Sequence, residues 1–285
     1  MTALRLTQSK KFRDRTTRIM LYILLLLAAI FTTGPFLWMF STALKTSGGV
    51  FTRPPQLLPI PPTLTNFVEV WNVVPMGRWT INSISISVLG TAGQIIINAM
   101  AGYALARFRL PGSRFILFAL LVMYMLPTTT NFLVNFLTIR DLGLTNTLVA
   151  VFLPSLASIF GIFLMRQAFL NVPQDLEESA RMDGANEWDI FWRVMLPLVI
   201  PSLATMGIFS FVGLWNEFFW PLIVLTGDQA LYPLALGVRF LNSSFVANTR
   251  WVMAGGVITM LPTLIVFIAA QRYFISGATA GAVKG

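Results

Sequence analysis

The chain contains no cysteine and no histidine. Disulfides are therefore excluded, the usual ligands of structural zinc and of heme are missing, and neither Ser-His-Asp nor Cys-His chemistry can be assembled. Lysine is scarce too: Lys10, Lys11, Lys45 and Lys284 are the full set, and none follows a glycine. A phosphate-binding loop needs Gly-Lys-Ser/Thr, because backbone amides cradle the phosphates while the lysine neutralises them. No such ATP site is encoded here. Charge of either sign is thin, 11% of residues against 56% hydrophobic, whereas about a quarter of the residues of a soluble domain are charged. That scarcity points to lipid as the solvent.

Long apolar runs fill the space that charge leaves. A membrane helix needs about 20 mainly apolar residues to cross about 30 Å of hydrocarbon. Six charge-free stretches qualify: 19–44, 79–106, 115–139, 142–165, 194–216 and 251–271, the fifth continuing apolar beyond Glu217 to about Thr226. All six are expected to be helical, since a spanning backbone must satisfy its own hydrogen bonds. The first begins after a basic stretch and lacks a clear small-residue cleavage site, so it reads as a retained helix and not a signal peptide. The net charge of +9 does not describe a nucleic-acid surface, because it follows sidedness. Fourteen Lys and Arg residues fall in 1–18, 107–114, 166–193 and 272–285, against six in the alternate segments. The positive-inside rule then places both termini and the 166–193 loop in the cytoplasm.

Between the runs, residues 1–18 form a basic arm, either a topology signal or a contact with anionic headgroups. Gly34-Pro35 is expected to kink the first span. Pro54, Pro55, Pro59, Pro61 and Pro62 make 46–78 a stiff external loop, extended and not helical. Ala99, Gly102 and Ala106 repeat at helical spacing and would let another helix approach closely.

The most informative segment is a charged, helix-forming island at 177–197. Pro173 suits a helix start, and Asp175, Glu177 and Glu178 place negative charge at its positive end, so a helix is expected from about 174 to 182. Gly184 supplies the left-handed turn that stops it. Asn186 caps a second short helix, with Glu187 and Asp189 in its first turn. Trp188, Phe191, Trp192 and Met195 follow at i, i+3, i+4 and i+7 as its apolar face, and Leu196-Pro197 ends it. On physics alone the aromatic face serves an interfacial helix or a knob entering a cleft on a partner.

This island resembles the EAA loop of ABC importer permeases: Glu178, Ala180, Gly184, Leu196 and Pro197 fall in register, while Ser179 stands for Ala and Val194 for Ile. The resemblance implies docking onto a separate ATPase dimer that holds the ATP and Mg. The ATPase-coupling candidates are then Glu178, Ser179, Ala180, Asp183, Gly184, Ala185, Trp188 and Phe191. Gly102-Tyr-Ala-Leu-Ala-Arg107 and Phe211–Leu225 look like the carbohydrate-importer subgroup. Gly277–Gly285 resembles the tail of maltose-type permeases, which reaches between the ATPase subunits; a frayed polar terminus is the plain alternative.

Within 211–225 an ionisable Glu217 interrupts an apolar run, which makes it a functional candidate. Trp215, Asn216, Phe219 and Trp220 surround it with aromatic and amide groups suited to sugar rings and hydroxyls; an interfacial carboxylate in an aromatic belt is the alternative. Thr128, Thr129 and Thr130 precede Asn131 and Asn135, which lie one helical turn apart and face either a hydrated path or a neighbouring helix.

Together these features predict an all-α membrane protein of six transmembrane helices, one permease domain over 1–285 with a cytoplasmic arm at 1–18, a coupling loop at 166–195 and a tail at 276–285. The resemblance implies half the pore of a binding-protein-dependent sugar importer in a bacterial or archaeal inner membrane. Its implied partners are a related second permease, the ATPase dimer and an extracytoplasmic solute-binding protein that the 227–250 segment touches. No catalytic residue and no metal are expected, nor any nucleic acid. Rivals are a permease for another small solute, a secondary carrier or channel, which leaves the island unexplained, and an intramembrane enzyme, which fails for want of His, Cys and a convincing carboxylate pair within one span.

Overall fold

The computed structural model describes the backbone of residues 2–46, 50, 52, 54, 56–243 and 248–280; side chains are described over the same range except 2–16, 128, 129, 242, 243 and 270–280. Among the described residues every regular element is helical. The α-helices in chain order are α1 Thr2–Ala43, α2 Thr65–Val73, α3 Met76–Arg107, α4 Ser113–Met125, α5 Phe132–Asp141, α6 Leu148–Phe152, α7 Ile159–Leu170, α8 Asp175–Met182, α9 Glu187–Asp189, α10 Leu196–Leu198, α11 Ile200–Asn216, α12 Phe219–Val224, α13 Leu234–Ser243 and α14 Thr249–Ala280. Ile190–Met195, between α9 and α10, is a π-helix. The chain divides into two compact units, one of residues 1–70 and 247–257, the other of 71–246 and 258–285.

In the first unit α1 runs unbroken through Pro35 and takes in the expected basic arm as helix. The proline-rich stretch is irregular as expected, but α2 follows it inside the region read as loop. Asn66 of α2 is buried and staples the chain: its amide donates to the carbonyls of Ala43 and Lys45 at 2.8 Å each, and its oxygen accepts from Arg250 at 2.9 Å. Glu69 accepts the Trp251 indole N–H at 2.7 Å.

In the second unit α3 is the axis, with α7 and α11 packed along it. The small-residue stripe explains the approach. A Cβ on Gly102 would sit 2.7 Å from Met165 Cβ and 2.8 Å from the Arg166 nitrogen, so only glycine lets α7 this close.

Among the described residues three helices are long and apolar enough to cross a membrane, Thr17–Ala43, Met76–Arg107 and Thr249–Ala269. The other expected spans are broken. Leu148–Ser155 and Ile159–Leu170 meet at 50°, and Glu187–Leu198 meets Ile200–Asn216 at 80°. The run read as one helix over 115–139 divides at Leu126-Pro127: proline disfavours helical backbone in the residue before it, and Leu126 is extended at φ −75° and ψ 140°. In the 227–250 segment α13 is a helix that the sequence pattern did not announce. Residues 244–247 of that segment and 281–285 of the tail lie outside the described residues.

Candidate functional site

The 174–198 island folds from its own caps. Helix α8 spans Asp175–Met182, close to the expected bounds, with Asp175, Glu177 and Glu178 in its first turn. Gly184 is left-handed at φ +83°. Its N–H bonds the Arg181 carbonyl and the Ala185 N–H bonds that of Ala180, both at 3.0 Å, the paired pattern that closes a helix on glycine. Asn186 then accepts the Asp189 N–H at 3.0 Å and caps α9.

The π segment changes which side chains face inward. An i→i+5 turn takes one extra residue, so the buried positions become Ile190, Phe191, Met195 and Val199 in place of a continuous α-helical face. Trp188 and Trp192, read as part of that face, are 59% and 45% exposed and stack on each other at 6.5 Å. Of the coupling candidates, Glu178, Ser179, Asp183, Gly184 and Trp188 are exposed beside Met182, while Ala180, Ala185 and Phe191 turn into the core.

That core is a hub at the ends of α3 and α7. Tyr103 meets Phe108, Phe169 and Phe191 at ring-centroid distances of 5.6, 5.3 and 5.2 Å. Beside it Arg107 donates to the carbonyls of Phe169 at 2.7 Å and Val172 at 2.5 Å. Its Nε lies 2.8 Å from Glu177 Oε1 in a nearly fully buried ion pair, held by charge and not by an aligned hydrogen bond. Arg181 stands 3.6 Å from Glu177 and donates to Glu187 at 2.9 Å. A chain of alternating charge thus joins α3 to both short helices. Burial pushes the Glu177 carboxyl up, while the guanidinium groups of Arg107 and Arg181 pull it down. The sequence reading assigned Arg107 to sidedness and Glu177 to a helix end; their pairing crosses 70 positions and leaves no local signal.

Elsewhere in the same unit is a cavity of about 580 Å³ whose lining includes Asn131, Asn135, Glu217 and Trp220. It brings these four path candidates together. Trp215, Asn216 and Phe219 do not line it: Trp215 is buried and donates to the Thr259 carbonyl at 2.9 Å, exposed Asn216 bonds back to Val212, and Phe219 lies against Phe132 at 5.1 Å. Glu217 sits where α11 ends in extended backbone, and its Oε1 accepts the N–H of Phe219 at 2.8 Å and of Trp220 at 3.1 Å, capping α12. Trp220 is fixed by its indole N–H on the Ala150 carbonyl at 2.9 Å. Sequence reasoning missed Gln94, Ser155, Ser158 and Ser210 on the same wall. The amides Asn82, Gln94 and Asn98 within one expected span were a usable signal.

Asn98 explains one side of this wall. Fully buried, it donates to the carbonyls of Gln94 at 2.6 Å and Leu156 at 3.1 Å and accepts the Ser158 N–H at 2.9 Å, so it satisfies the gap between α6 and α7.

Comparison with known proteins gives four matches. The family model described as "Binding-protein-dependent transport system inner membrane component" matches residues 98–279. The arabinooligosaccharides transport system permease protein AraQ of Halalkalibacterium halodurans is 37% identical over 246 residues, 86% of this chain and 86% of that one; the sn-glycerol-3-phosphate transport system permease protein UgpE of Yersinia pestis is 30% identical, covering 90% and 94%. A chain from a bacterial ABC transporter involved in the import of the acidic polysaccharide alginate matches with a TM-score of 0.79 at 26% identity, over 92% of this chain and 97% of that one.

Proposed function

The chain belongs to the binding-protein-dependent transport system inner membrane component family, and from that premise we propose that it forms half the pore of an ATP-driven sugar importer, docked through its 174–198 island on a separate ATPase dimer. It is a transport permease subunit of the inner membrane and not an enzyme. One observation carries the docking assignment: the exposed Glu178–Gly184 surface and Trp188 stand on a buried ion pair that ties them to α3, the axis helix that also carries Gln94 of the cavity. Motion delivered to the surface reaches the cavity wall through a rigid connection.

In this reading residues 1–285 act as one permease domain with six crossings, formed by α1, α3, the α4–α5 pair, the α6–α7 pair, α11 and α14. The fourteen-to-six charge balance supports cytoplasmic termini, placing the arm at 1–18, the coupling loop at 166–195 and the tail at 276–285 inside. ATP and Mg belong to the ATPase, a second permease completes the pore, and a loaded extracytoplasmic binding protein meets the outer segments. The cavity residues Asn131, Asn135, Glu217 and Trp220 line the solute path, with alternating access as the mechanism.

The test is Gly184→Asp. Space around this glycine is open, so a new side chain is penalised by the left-handed backbone and by whatever docks there. The variant should assemble poorly with the ATPase and lose uptake. Wild-type ATPase association and transport in the purified variant complex would refute the docking assignment.

A further inference from the structure

Relatives of this chain serve both neutral and anionic solutes by name, so membership alone leaves solute charge open. The cavity addresses it. Its polar lining consists of amides and hydroxyls, notably Gln94, Asn131, Asn135 and Ser210; aromatic faces come from Tyr124 and Phe209, 61% and 51% exposed. Among the described residues no Lys or Arg lines it, and its one acidic side chain is Glu217. Phosphate and carboxylate recognition relies on cations, arginine above all. None is offered here, and an entering anion meets a carboxylate of like sign.

The Glu217 carboxylate is held at the wall, because Oε1 takes two backbone N–H groups at the start of α12. What remains is chemistry for hydroxyls and sugar faces: amide donors and acceptors in place, aromatic rings to stack, and a volume within the roughly 300–1,000 Å³ of small-molecule sites. We propose that this cavity is a subsite for uncharged glycans that rejects phosphorylated and uronate solutes, with Glu217 as the discriminating residue. The proposal rests on the transport reading above and adds the solute class.

The absence of native cysteine allows a direct test. Ser210→Cys is introduced into the full importer complex, held in lipid nanodiscs without ATP, and its rate of maleimide labelling is followed. Arabinotriose, a neutral probe, should slow labelling, and trigalacturonate at equal concentration and ionic strength should protect about tenfold more weakly, a difference of about 1.4 kcal/mol. Adding Glu217→Gln should bring the two probes within about twofold of each other. Equal protection by both probes with Glu217 present overturns the discrimination. No protection by arabinotriose, in a Ser210→Cys complex that still imports a neutral sugar with its binding protein, overturns the subsite. An assembled native complex that imports no glycan refutes the importer reading instead.

Discussion

The hub beneath the 178–188 surface and the wall of the cavity share the helices α3 and α7, yet they use polar groups in opposite ways. In the hub, charges are spent on one another: Arg107, Glu177, Arg181 and Glu187 alternate in sign and fix α3, α7, α8 and α9. In the wall, backbone breaks are held by neutral amides and one carboxylate, as Asn98 does across 156–158 and Glu217 at α12. Charge pairing in a buried place resists displacement because separating the ions is costly. Amide bridges over broken helices leave neutral polar groups facing open space, with Glu217 the one acidic side chain beside them among the described residues. The first arrangement suits force transmission and the second suits transient contact with a solute.

The largest effect should come from breaking the hub. Arg107→Gln leaves Glu177 buried with only the more distant Arg181, and it strips a donor from the Phe169 and Val172 carbonyls; the expected destabilisation is about 3–5 kcal/mol. Denaturation of the detergent-solubilised protein measures it, and a loss below about 1 kcal/mol would remove the contrast between the regions. The wall should respond less. Asn98→Leu keeps approximate volume but leaves the Leu156 carbonyl and Ser158 N–H unpartnered by that side chain, so about 1–3 kcal/mol is expected in the same assay. Greater sensitivity here than at Arg107 would reverse the ranking. Smallest for the fold is Trp188→Ala at a side chain 59% exposed, within about 0.5 kcal/mol of the native protein. Its effect should appear in ATPase association and uptake; an unchanged complex would leave Trp188 an interfacial anchor.

Legibility in the sequence divided along the same line. The bounds of α8, the left-handed Gly184 and the Asn186 cap were readable because each is decided within four or five residues. The small-residue stripe foretold the close approach at Gly102. The ion pair, by contrast, joins residues whose local roles were already satisfied by simpler explanations. Of the expected apolar face Phe191 and Met195 turn inward while Trp188 and Trp192 do not, because periodicity assumes a uniform helix and nothing in Ile190–Met195 advertises the wider turn. Around the cavity the type of residue was informative and its direction was not: Asn216 and Glu217 are adjacent, yet only Glu217 faces the space, because the helix unwinds between them.

The π segment also sets an angle. One residue of α-helix corresponds to about 100° of rotation, so the single extra residue in the wide turn works like a phase shifter between two dials. Upstream, it fixes the bearing of the Trp188–Trp192 pair; downstream, it fixes the bearing of Met195 and of the α10 turn that leads into the 80° bend before α11. Deleting Val194 would re-aim one dial against the other by that amount while keeping Trp188, Trp192 and Met195 in the chain, a change that a substitution cannot imitate.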